Sequence, residues 1–200
     1  MAYRDFKAID LKEKFGLSIK SSPLFSNINN VEASSLLLQV LERNKGHLRM
    51  ITEKIISEAI ILPVLLEIQV KNRPQISLFS GQMLNIDKSK GLNGELDFLF
   101  VNQPDALELS APIVCITEAK LDSALEKAVN QAAAQMIASQ IFNQKSNQNI
   151  TVIHGAVSNG FQWLFLRLEG QTLLIDTEQY SLANLPQLLG VLQTIIDFYE

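Results

Sequence analysis

The chain has one cysteine, two histidines, one tryptophan and no surplus of positive charge: 17 Lys and Arg face 21 Asp and Glu, for a formal net charge of -4. One cysteine excludes an intrachain disulfide framework and a cysteine-built zinc site. Cys115, set between Val114 and Ile116, reads as a small core residue. Without a basic excess there is no global surface to grip a polyanion, so any nucleic-acid contact has to be local. Long apolar runs are missing too. The longest, from Ala59 to Leu66, is broken by Pro63 and falls far short of the roughly 20 residues that span a bilayer. The opening MAYRDFKAIDLKEKF lacks the unbroken apolar stretch of a secretory signal. The expectation is a cytoplasmic protein with no membrane segment.

What is present suits one buried domain: 200 residues, 47% hydrophobic and 19% charged, with no low-complexity tract. Residues 1–45 read as a partly ordered leader, with a Ser/Asn-rich SSPLFSNINN, followed by a helix over 32–41 with Asn30 as its cap. Residues 46–200 read as a single domain. From His47 to Leu66, apolar residues at Leu48, Ile51, Ile55, Ala59 and Leu62 recur every three or four positions, which predicts an amphipathic helix kinked near Pro63. Two glutamates interrupt it. Glu58 falls on the line of Ile51, Ile55 and Leu62, and Glu53 on that of Met50, Ile60 and Ile61; the ordinary explanation for either is a solvated helix edge.

Two antiparallel strands follow, over 76–85 and 94–101, joined through a Lys88–Gly91 turn. Ile113 to Thr117 is continuously apolar, the pattern of a strand covered on both faces. A helix over 121–142 presents Ala128, Ala132 and Ala133, small enough for close approach to a sheet. Strands over 150–157, 161–168 and 172–175 and a last helix over 184–199 close the chain. This order implies an α/β protein with a mixed central β-sheet flanked by helices.

The conflict with core patterning lies in Asp97, Glu118 and Lys120, charges set in or at the ends of apolar strands. On neighbouring strands the two carboxylates can converge on one hard cation, with the Ala119 carbonyl as a further oxygen. Glu118 and Lys120, two apart, face the same way. The ordinary alternative is an edge-strand charge beside a surface ion pair contributing about 0–1 kcal/mol.

GELDFLF followed by ITEAK resembles the core of the PD-(D/E)XK nuclease superfamily. The proline usual before the aspartate is replaced by Leu96. The resemblance, over roughly residues 48–157, implies a restriction-endonuclease-like fold: an αβββαβ core plus C-terminal hairpin and helix. GAVSNGFQWLF is similar to the hairpin that ends many bacterial members. It also implies Mg²⁺, or Mn²⁺ in its place, held by Asp97, Glu118 and Ala119, with Lys120 at the nucleophile. Glu53 or Glu58 would be the supporting helix glutamate. NQAAAQM is similar to a glutamine motif of the family, with Gln131 the first choice and Gln135, four residues on, the second.

The activity so implied is hydrolysis of phosphodiester bonds in nucleic acid, DNA first, and analogy adds a homodimer. A second class of function stays open: a module of this fold that does not cut and serves as a binding or assembly subunit. His47 and His154 read as core or surface residues. Trp163 and Phe161 read as hairpin aromatics covering a core. Lys88, Lys90, Lys127 and Lys145 read as solvated charges, with a local phosphate track as the alternative.

Overall fold

The structure, a computed structural model, describes residues 1–46, 52–121 and 125–200. His47, Leu48, Met50, Ile51 and the Lys127 side chain lie outside the described residues. The strands are β1 (Ser18–Ser21), β2 (Ser77–Met83), β3 (Glu95–Val101), β4 (Ile113–Ala119), β5 (Val152–Ser158), β6 (Gln162–Glu169) and β7 (Thr172–Ser181). Among the described residues they form one seven-stranded sheet in the order β1-β7-β6-β5-β4-β3-β2. The β4–β5 and β1–β7 pairs are parallel and the others antiparallel. The chain is therefore α/β, with a mixed sheet flanked by helices; the central strand is β5, and all seven residues of both β5 and its neighbour β4 are buried.

The helices are α1 (Ala8–Phe15), α2 (Ser35–Asn44), α3 (Glu53–Ile56), α4 (Leu62–Lys71), α5 (Leu125–Lys145) and α6 (Leu185–Asp197). One face of the sheet is covered by α5 and residues of the N-terminal segment, and the other by α2, α3, α4 and α6. Ala128, Ala132, Ala133, Ala134 and Ala138 of α5 are all buried, which brings its backbone close to the strands. Gly155 of β5 makes room there, since a Cβ at that position would stand 2.7 Å from Met136 Sδ.

The first 45 residues are more than a leader and a helix. Tyr3, Phe6, Leu11 and Leu17 are buried in the core that α5 covers, and Tyr3 donates its hydroxyl to Leu84 O at 2.7 Å. Ser18–Ser21 adds an edge strand to β7. Leu24, Phe25, Ile28 and Val31 then pack against the opposite core, so the N-terminal segment contributes to both layers. Helix α2 begins at Ser35, capped by the Ser34 hydroxyl, which accepts from Leu37 N–H, and not near Asn30. Among the described residues, no helix is long and apolar enough to cross a membrane.

Candidate active site

Strands β3 and β4 pair from Val101–Ile113 to Phe98–Thr117, where the regular ladder ends. One step further, Asp97 stands opposite Glu118. Across the other edge of β4, Lys120 N–H bonds to Ser158 O at 2.9 Å, so the intervening Ala119 turns its N–H and C=O towards β3. The Ala119 N–H donates to Asp97 Oδ2 at 2.8 Å. A side-chain carboxylate thus stands where a backbone carbonyl would continue the ladder, at the mouth of a cleft of about 470 Å³.

Asp97 and Ala119 line this cleft together with Glu53, Glu58 and Lys54 from the facing helix and Glu95, Ser80 and Gly81 from the sheet edge. Four carboxylates and one ammonium, that of Lys54, therefore line it. Glu58 pairs with Lys54 at 3.8 Å, and both are exposed. Glu95 was not anticipated, although its place two residues before Asp97 in GELDFLF puts it on the same side of an extended strand.

Glu118 lies beneath the cleft, fully buried. Its Oε2 accepts from Gln135 Nε2 at 2.8 Å. Lys120 Nζ lies 2.9 Å from its Oε1, but without hydrogen-bond alignment, so Oε1 is a buried acceptor with no hydrogen bond. Lys120 also donates to Glu53 Oε1 at 3.1 Å and so bridges the sheet and the helix. Of the two candidate helix glutamates, the structure brings Glu53 to Lys120 and leaves Glu58 on the cleft wall.

Of the two candidate glutamines it brings Gln135, not Gln131, to Glu118; Gln131 is half-buried one turn earlier on α5. The reason is the setting of α5 along β4. Asn143 exchanges two hydrogen bonds with the backbone of Ile113, accepting from its N–H at 2.8 Å and donating to its C=O at 2.7 Å. This clamps the end of α5 to the start of β4, and Gln135, two turns upstream, then reaches the strand's far end. Sequence reasoning passed over Asn143; an asparagine inside an otherwise apolar helix face is a signal that could have found it.

The charges are mutually adjusted. Burial, then repulsion from Asp97, push the Glu118 carboxyl up to about 7 against the pull of Lys120 and Gln135. Burial also raises Asp97, with Glu53 and Glu95 adding to it, while the Ala119 N–H and Lys120 work the other way. Burial works against the Lys120 ammonium, yet Glu118 and Glu53 outweigh it and its pKa rises. An ion pair ordinarily lowers its acid's pKa; here desolvation and a second carboxylate win.

Among the described residues, no group of three or more His, Cys, Asp and Glu side chains is gathered closely enough to hold a metal ion. The oxygen atoms at hand are two carboxylates of adjacent strands and the Ala119 carbonyl between them. They are hard donors suited to Mg²⁺, and the buried Glu118 Oε1 is faced by the Lys120 ammonium at 2.9 Å without an aligned hydrogen bond.

The remaining expected residues are core or surface. Trp163 is buried and stacks on Phe165, whereas Phe161 is 40% exposed. His154 is buried against Tyr199, and burial, then Arg167, push its pKa down to about 3. Cys115 is buried, with its thiol pushed up to about 12 by burial. Lys88, Lys90 and Lys145 are exposed. No protein-family model matches the chain, and no curated protein matches it.

Proposed function

We propose that the chain is a Mg²⁺-dependent nuclease, accepting Mn²⁺ as a substitute, that hydrolyses phosphodiester bonds of nucleic acid, DNA first, on a restriction-endonuclease-like fold of the PD-(D/E)XK kind. One observation carries this reading: Asp97 and Glu118 stand side by side with the Ala119 backbone between them, where β3 and β4 part beside a cleft, and Lys120 adjoins Glu118. Asp97, Glu118 and the Ala119 carbonyl would hold the cation. When bound, it supplies Lewis acidity towards the scissile phosphate and makes water a stronger acid.

The chain's own residues do the rest. The Ala119 N–H fixes the Asp97 carboxylate, and Gln135 fixes that of Glu118, which holds the donor oxygens at the strand ends. Lys120, charged at neutral pH and tethered by Glu53, presents an ammonium that can orient the attacking water or contact a phosphate oxygen. The four carboxylates of the cleft repel a bare polyanion, so a bound cation is also what would make the cleft hospitable to one.

An assay on single- and double-stranded DNA with Mg²⁺ or Mn²⁺, comparing the wild type with Lys120→Ala and Asp97→Ala, tests the reading. Metal-dependent cleavage that both substitutions abolish supports it, and equal cleavage by all three proteins sinks it. A second reading, a binding or assembly subunit of the same fold that does not cut, draws on the full burial of Glu118 behind Lys120 and Gln135. Absence of cleavage with nucleic acid still bound would favour it.

A further inference from the structure

The helical run that carries Glu53 and Glu58 changes pitch beside the cleft. Between α3 and α4, residues Ser57–Ile61 form a π-type turn, closed by the Leu62 N–H on Ser57 O. Such turns are costly and need a cause. The cause here is Pro63, which has no N–H for Ala59 O, the carbonyl four residues earlier that an α-helix would satisfy. Ala59 O is taken instead by Asn44, at the end of α2, whose Nδ2 donates to it at 2.8 Å. Close packing holds the far side of the turn: Ile56 and Ile60 are buried, and a Cβ on Gly160, at φ +85, would stand 2.7 Å from Ile56 Cγ2.

We propose that Asn44 and Pro63 are positioning residues, which hold the π-type turn and thereby aim Glu53 at Lys120. A π turn accommodates one more residue than an α turn. Its collapse to α geometry would rotate everything N-terminal to it by about 100° relative to α4. That rotation takes Ile56 out of the core and carries Glu53 away from Lys120, which it now meets at 3.1 Å. Asn44 removes the penalty of an orphaned carbonyl, and Pro63 removes the N–H that would otherwise close the α turn. The pair matters for catalysis only on the reading given above, but the placement of Glu53 can be measured without any activity.

Zero-length carbodiimide cross-linking joins a carboxylate and an amine that touch, and peptide mass spectrometry reads the product. The Glu67–Lys71 pair, 3.5 Å apart on α4, serves as the internal standard in the full-length chain. The wild type is expected to give a Glu53–Lys120 cross-link, and both Asn44→Ala and Pro63→Ala to lose it while the standard persists. Pro63→Ala returns a backbone N–H to the helix, so its fold is retained even if Asn44→Ala proves too unstable to purify. A Glu53–Lys120 cross-link at wild-type yield in Pro63→Ala, or none in the wild type, overturns the proposal. A wild type that cross-links but cleaves no DNA leaves the positioning intact and counts against the nuclease reading alone.

Discussion

Gln135 donates its side-chain amide to Glu118 Oε2 at 2.8 Å, and both side chains are buried. Removing one partner of a buried bond leaves the other unsatisfied, a penalty of about 1–3 kcal/mol. Gln135→Ala is expected to lower the unfolding free energy by that much. Gln131→Ala, which leaves Glu118 its donor, is expected to stay within about 0.5 kcal/mol of the wild type. Chemical denaturation of the two variants checks this, and equal losses would remove Gln135 from the site.

Stability should fall as pH rises towards neutrality in metal-free buffer. The Glu118 carboxyl moves from an ordinary 4.5 up to about 7 in the folded chain, so between these values the folded chain holds a proton that the unfolded chain has released. The associated stability is fully present below about pH 4.5 and is lost as pH passes through 7, a contribution of roughly 3 kcal/mol. Asp97, also raised, acts in the same direction. Glu118→Gln is expected to flatten this slope and to equal or exceed the wild type in stability at pH 8. Thermal melts of both proteins from pH 4 to 8 measure it; parallel profiles would contradict the assignment.

The N-terminal segment is integral to the fold, and one glycine reports on it. Gly190 of α6 lies directly under the extended chain at Asn29, where a Cβ would stand 2.2 Å from the Asn29 carbonyl oxygen. A backbone neighbour cannot turn aside as a flexible side chain can. Gly190→Ala is expected to destabilise the protein by about 3 kcal/mol, with increased proteolysis of the first 34 residues. An unaltered melting temperature would mean that this crossing is not held in solution.

Much of the sheet was legible because its signals are local. The continuous apolar run of β4, the Ser158–Gly160 turn and the alanines of α5 each imply their surroundings without reference to distant residues. The N-terminal segment was not. Tyr3, Phe6, Leu11 and Leu17 have no common period, and β1 is four exposed residues whose placement depends on β7.

The charged trio on β3 and β4 was visible as charge within apolar strands, whereas its supporting residues turned on helix phase. Residues 132–139 of α5 are buried all round, so no apolar stripe marks which glutamine faces β4; Asn143, eight residues away, settles it. Glu53 and Glu58 were ambiguous for a related reason. A π-type turn between α3 and α4 breaks the 3.6-residue count on which any assignment of faces relies.

The sharing of one divalent cation by Asp97 and Glu118 is measured most directly by calorimetric titration with Mn²⁺. One Mn²⁺ per chain, bound at millimolar concentration or below and lost in both Asp97→Ala and Glu118→Gln, is the predicted result. No binding by the wild type, or binding that survives both substitutions, would contradict it.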